Sequence, residues 1–347
     1  MILRLNVTRL PWFDNTSFSF QTTFIEIQKS NQFKQVGIAA VLAVIGCGAS
    51  AQSSVTVYGR LNVSLENQKS GTADAKWVEQ NNSSRIGFKG SEDLGDGLRA
   101  GFQLESGLAP DTGTASTSFW GRQSEVNLSG SFGAVRLGNF ISEAYFATAD
   151  YVSMHNHDTG TSSDALYAYL GRNTNKVAYR LPVLVKDLSV EGSVSLGEGA
   201  EGQKRNYDVA VNYAIAGLQL GAGYEQADTT TTDRNQFGLR ALYSAGPLTF
   251  GGYVQRDKNA YGTGSRTNVR LSAMYALGPS EFHVNVGSAG KTGSIDDSSA
   301  KQFTLAYNYN LSKRTKVYAF YTKVDDGVAG LYGGDFRSIA VGVRHNF

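Results

Sequence analysis

From Val55 onward, apolar and polar residues alternate with a period of two, and the alternation returns along most of the chain. Val55, Val57, Gly59, Leu61, Val63 and Leu65 interleave with Thr56, Tyr58, Arg60, Asn62, Ser64 and Glu66. Successive side chains of a strand point to opposite faces, so such a segment carries one apolar face and one polar face. Tyr207, Val209, Val211 and Tyr213 repeat the pattern, as do Phe237 to Tyr243, Val269 to Tyr275 and Phe303 to Tyr309. Composition agrees with strands. Forty of the 347 residues are glycine, and glycine costs about 1 kcal/mol per helix-interior position relative to alanine. Eighteen Tyr and eighteen Phe suit a pleated, half-buried surface.

Short turn signals, such as Gly130-Ser131-Phe132-Gly133, Gly246-Pro247 and Gly278-Pro279-Ser280, alternate with longer polar segments at 67–80, 226–234, 257–266, 288–300 and 325–335. The punctuation predicts sixteen strands starting near residues 54, 82, 98, 117, 134, 171, 188, 205, 217, 235, 247, 267, 280, 301, 314 and 336. About ten tilted residues per strand match the ~25 Å apolar band of an outer-membrane barrel, whose connections are short on the periplasmic side and long outside. Closure satisfies every backbone group in lipid and removes sheet edges. A soluble sandwich also alternates. The even count, aromatic residues near strand ends and a last strand with Ile339, Val341, Val343, His345 and Phe347 on one face favour an all-β, 16-stranded antiparallel transmembrane β-barrel.

Export is expected. The longest apolar run, residues 37–46, follows Lys29 and Lys34 and precedes Ala49-Ser50-Ala51, a small-x-small cleavage pattern typical of a secretory signal peptide. The division is then an N-terminal extension at 1–33, consistent with a start assigned too far upstream, a signal peptide at 34–51 and a barrel at 52–347. Val44-Ile45-Gly46-Cys47 offers lipidation of Cys47 as a rival route. The chain carries 32 Lys and Arg against 30 Asp and Glu, so there is no basic footprint for nucleic acid. One cysteine allows no intrachain disulfide and no cysteine zinc site.

Several stretches resemble a known family, the trimeric general porins of Gram-negative outer membranes, especially the β-proteobacterial branch. They are Ser53-Ser54-Val55-Thr56-Val57-Tyr58-Gly59, Ser84-Arg85-Ile86-Gly87-Phe88-Lys89-Gly90-Ser91-Glu92-Asp93-Leu94-Gly95, Gly101-Phe102-Gln103-Leu104-Glu105-Ser106-Gly107, Gly130 to Gly138, and Val341-Gly342-Val343-Arg344-His345-Asn346-Phe347. The resemblance covers residues 52–347 in order and implies a homotrimer whose third external loop folds into the pore. It implies passive diffusion of ions and small hydrophilic solutes through a wall set in lipid and lipopolysaccharide, with no cofactor.

A barrel of this size is too wide for side chains to fill, so charged residues and whatever narrows the channel set selectivity. Alternation turns Arg85, Gly87 and Lys89 inward from Ile86, Phe88 and Gly90, and Gln103 and Glu105 inward from Phe102 and Leu104. Arg122 and Arg172 match the family's other two pore arginines, although Arg122 shares parity with the lipid-side Val126 and Leu128. Arg60, Lys89 and Arg240 are outer candidates. An arginine facing lipid at mid-depth costs about 2–4 kcal/mol, so inward is the default in a barrel wall. The long connection at 139–170 carries Glu143, Asp150, Asp158 and Asp164, and the resemblance implies that acids of this loop, Glu143 and Asp150 above all, stand opposite the arginines. The cationic cluster predicts anion preference. Gly87, Gly221 and Gly238 are expected inward, leaving the lumen open or making room for the loop.

Two other classes fit less well. A barrel enzyme would need a site, and the chain has no Gly-x-Ser-x-Gly elbow. His155-Asn156-His157-Asp158 reads as exposed loop histidines in preference to a metal centre. A plugged adhesive or structural barrel would conduct poorly.

Overall fold

The structure, a computed structural model, describes residues 54–149, 159–170, 173–199 and 203–347. The N-terminal extension, the signal segment with Cys47 and the histidine run at 155–157 lie outside the described residues.

Alternation becomes strands at β1 (Ser54–Ser70), β2 (Lys76–Asn81), β3 (Arg85–Gly95), β4 (Leu98–Ala109), β5 (Thr114–Ala115), β6 (Gln123–Gly130), β7 (Gly133–Asn139), β8 (Lys176–Arg180) and β9 (Leu188–Ser195). It continues through β10 (Gln203–Ile215), β11 (Leu218–Thr229), β12 (Asn235–Ala245), β13 (Leu248–Lys258), β14 (Ser265–Leu277), β15 (Ser280–Ala289), β16 (Ala300–Asn310), β17 (Thr315–Asp326) and β18 (Phe336–Asn346). The β7–β8 connection holds a short helix, α1 (Glu143–Thr148), and a 3-10 turn (Gly160–Ser162). Neighbouring strands pair antiparallel around the ring, and β1 meets β18 from Arg60 opposite Asn346 to Ser70 opposite Phe336. Among the described residues the ring itself has no open edge.

The eighteen segments make sixteen barrel strands. β2 and β3 both pair with β1, against 63–68 and 54–60 respectively, so they are two halves of one strand. β5 pairs only with the tip of β4, as a small hairpin outside the ring. The closed sixteen-stranded antiparallel barrel expected from the sequence is the fold.

The join between β2 and β3 is a one-residue bulge. Val63 faces Asn81 but Arg60 faces Arg85, so three residues of one strand oppose two of the other. Ser83 takes φ +57° there, and side chains replace the lost ladder: Asn62 N donates to Ser84 Oγ at 2.9 Å, and Asn82 Nδ2 donates to Ser64 Oγ at 2.8 Å and Tyr318 Oη at 2.7 Å. A bulge inverts the face of every residue beyond it. Trp77 is exposed on the outer wall before it, and Ile86 and Phe88 take the outer side after it. The expected start near 82 therefore corrects to 76, and the expected loop at 67–80 shrinks to 71–75. The starts near 117 and 171 likewise move to 123 and 176.

The apolar face looks outward all round, with Val57 53%, Leu271 64% and Val341 57% exposed. Buried groups are chiefly polar, among them Glu66, Gln255, Arg266, Arg270 and Asn268. This inversion of a soluble core follows from lipid as the outer solvent. α1 rests on the inner faces of β11 and β12. A Cβ on Gly223 would lie 2.7 Å from the Ala144 carbonyl oxygen, one on Gly238 would lie 2.8 Å from Thr148 Cβ, and Gly221 meets the Ala147 carbonyl. A side chain at Gly221 or Gly238 would therefore collide with α1. The space at Gly87 is filled instead by the Tyr58 ring.

Candidate functional site

Arg85 enters β3 directly after the bulge, and Glu105 projects from the facing strand β4 in the same inward row. Arg85 Nε lies 3.7 Å from Glu105 Oε2, and Arg122 Nε lies 2.7 Å from Glu105 Oε1. Arg122 reaches this place from the bend just before β6, which frees it from the parity of Val126 and Leu128. Tyr58 completes the group: its hydroxyl donates to Glu105 Oε2 at 3.0 Å and accepts from Gln103 Nε2 at 2.7 Å. Lys89 Nζ sits 5.3 Å from the Tyr58 ring centroid, within cation–π range. Arg60 stands opposite Arg85 in the β1–β3 register, and its Nε donates to Asn346 Oδ1 at 3.0 Å. Glu105 is therefore shared by the guanidinium groups of Arg85 and Arg122, with Lys89 reaching the same place over Tyr58 and Arg60 beside Arg85 in the sheet register.

Glu143 has partners of its own. Its Oε2 pairs with Arg180 Nη2 at 3.1 Å, and its Oε1 accepts from Asn212 Nδ2 at 3.3 Å. Arg180 also holds Glu191 at 2.9 Å, and Arg136 bridges Glu125 at 2.6 Å and Glu191 at 3.0 Å. Glu143, expected opposite Arg85 and Arg122, thus has Arg180 as an ion-pair partner. Burial pushes the Glu143 carboxyl above its ordinary range, with Arg180 pulling the other way. Asp164 is similarly occupied: Arg270 Nη1 lies 2.7 Å from its Oδ1, which also accepts from the backbone N–H groups of Leu166 and Tyr167, and Tyr253 donates to Oδ2. Arg172 and Asp150 lie outside the described residues. Arg136, Arg180 and Arg270 escaped the sequence reading, although the parity of Val135 and Leu137, or of Val269 and Leu271, already turns Arg136 and Arg270 inward.

The 140–170 connection is fastened to distant strands. Ser142 Oγ caps α1, accepting from Tyr145 N at 3.3 Å, and donates to Glu225 on β11. Further along, Thr161 Oγ1 donates to Glu66 on β1 at 2.6 Å, Ala165 N donates to Gln302 on β16 at 3.0 Å, and Ala168 N donates to Gln255 on β13 at 2.9 Å. Arg266 on β14 donates to the Leu166 carbonyl at 2.6 Å.

Comparison with known proteins gives a consistent picture. A family model for Gram-negative porins matches residues 39–328. Outer membrane porin protein 32 of Delftia acidovorans is 32% identical over 358 residues, covering 89% of this chain and 98% of that one. An anion-selective porin from Comamonas acidovorans superposes with a TM-score of 0.69 at 26% identity, over 85% of this chain and 100% of its own. OmpT of Vibrio cholerae, solved in a trimer form, superposes with a TM-score of 0.65 over 85% of this chain and 99% of its own; at 15% identity that likeness concerns the fold alone.

Proposed function

The chain belongs to the Gram-negative porin family, and from that premise we propose that it is an anion-preferring diffusion channel for small hydrophilic solutes, working as a homotrimer in lipid and lipopolysaccharide. Its place is the outer membrane, and its family forms channels rather than enzymes. In this reading the 140–170 connection folds inward and narrows the lumen, and Arg85, Arg122, Arg172, Lys89 and Arg60 set the field at the narrowing, with Glu105 holding two of them and Asp150 facing them. The tethers from 142–168 to β1, β11, β13 and β16 support the inward course, since strands so far apart around a ring are reached together only through its middle.

The observation that carries the anion preference is the charge balance. Arg85 and Arg122 share one carboxylate, Glu105, with Lys89 over the neighbouring Tyr58 ring and Arg60 opposite Arg85, while Glu143 and Asp164 are held by Arg180 and Arg270. Fixed arginine charges in a narrow passage favour ions of opposite sign. The anion-selective character of the Comamonas relative agrees. Reversal potentials across a KCl gradient in planar bilayers test this. Wild type is expected to favour chloride, and Arg85→Gln with Arg122→Gln to move the permeability ratio toward unity. Cation selectivity in wild type would refute the preference, and absence of stepwise conductance would refute the channel.

A further inference from the structure

A second concentration of positive charge lies away from the arginine pair, at the rim carrying the short turns, which in outer-membrane barrels faces the periplasm. Lys316 on β17 stands directly opposite Arg344 on β18, and Asn62, two residues on from Arg60, stands opposite Arg344. All three cations share the inward face, because Val317, Val343 and Leu61 look outward. The register thus places two cationic pairs, Arg85 opposite Arg60 on β3 and β1 and Arg344 opposite Lys316 on β18 and β17, diagonal to one another across the β1–β18 seam, where Asn346 faces Arg60 and Asn62 faces Arg344. Like charges directly opposite on a sheet are destabilising, and here Glu105 offsets the first pair through Arg85 and Glu281 the second through Lys316.

A cavity of about 530 Å³ opens at the second pair, lined by Lys313, Arg314, Lys316 and Arg344 with Asn310 and Asn346 among its polar groups. No acidic side chain is among its lining residues. The carboxylate beside it, Glu281, accepts from Lys316 Nζ at 3.3 Å, from Asn308 at 2.9 Å and from Asn310 at 2.7 Å. Four cations therefore surround the cavity with one acid at its margin. The guanidinium and ammonium groups supply charge-assisted donors, and the two amides supply neutral ones, a set suited to an anion with several oxygens.

We propose that this cavity is an oxyanion site at the periplasmic mouth, taking phosphate or a small dicarboxylate, fed from Arg85 through Arg60. The inference rests on the channel reading, since the two pairs lie along the path that reading gives to anions. It is distinct from the Arg85–Glu105–Arg122 group in residues and in position along the strands.

The test uses the full-length folded protein with inorganic phosphate, and with succinate in a parallel arm. Calorimetric titration in detergent should show saturable binding of at least one probe, and that probe should reduce chloride current in bilayers at matching concentrations. Replacing Lys313, Arg314, Lys316 and Arg344 together by Gln should raise the half-saturating concentration by about tenfold or more, as expected for losing charge-assisted bonds. Lys316→Arg with Arg344→Lys should retain binding. If the fourfold variant does not fold, Lys313→Gln with Arg314→Gln on the exposed turn is expected to give a smaller shift in the same direction. Binding equal in wild type and both Gln variants, or no binding of either probe by a conducting wild type, overturns the site. Binding without conductance would keep the site and overturn the channel.

Discussion

Glu105 and Glu143 show how one residue type acquires two jobs from its neighbours. Glu105 binds two guanidinium groups and a tyrosine hydroxyl, which keeps like charges together that would otherwise repel. Glu143 sits in the first turn of α1 with Arg180 and Asn212, and burial raises its pKa. A raised pKa means that the folded carboxyl holds its proton more tightly than the unfolded one, so this group favours the folded state as pH falls through that value and opposes it above. Loss of its charge leaves Arg180 less compensated. Chloride preference is therefore expected to rise as pH is lowered from neutral, beginning above the range where exposed carboxylates titrate. Reversal potentials measured against pH should show that early rise in wild type and lack it in Glu143→Gln. At this scale the sequence was legible wherever parity holds: Arg85, Lys89 and Glu105 follow from their neighbours alone. The partner of Glu143 was not legible, because Arg180 lies on β8 and nothing local marks the pair.

Among the elements, α1 is the one that alternation could not foresee. Six residues give too little periodicity to mark a helix, and its stability comes from the Ser142 cap and from packing on β10, β11 and β12. The strands were better announced than the helix they carry. Gly221 and Gly238 stood out as inward positions lacking side chains, and the helix occupies both spaces. Gly221→Val should force the Ala147 carbonyl away and destabilise the protein by about 1–3 kcal/mol, the usual range for overpacking. Denaturant unfolding in detergent measures the loss, and single-channel recording should show an altered conductance as the helix shifts. Two strand starts move by six residues, and the β2–β3 bulge explains the one from 82 to 76. Period-two logic reads a single face through a strand, and an extra residue at Ser83 exchanges the faces midway.

Over the whole molecule, the even strand count and the alternation of short and long connections were readable because lipid imposes one rule on every strand. The same rule makes a strong prediction. Leu271→Arg, on the outer face of β14, should cost about 2–4 kcal/mol of folding free energy in lipid vesicles, while Lys89→Gln, on the inner face, should cost far less. Equal costs would contradict the assignment of faces. What the sequence could not convey was which distant strands the long connection grips, since each tether joins residues about eighty to one hundred and forty positions apart.

The seam between β1 and β18 also governs how the protein can be made. The pairing that shuts the ring joins β1 to β18, from Arg60 opposite Asn346 onward, the first strand to the last. Until the final strand is delivered, β1 exposes an unpaired row of amides and carbonyls, and the outer face has no lipid-tight wall to complete. Contacts of such long sequence separation form slowly. The ring therefore closes only once β18 has paired with β1, and that single seam decides when the sheet becomes a vessel.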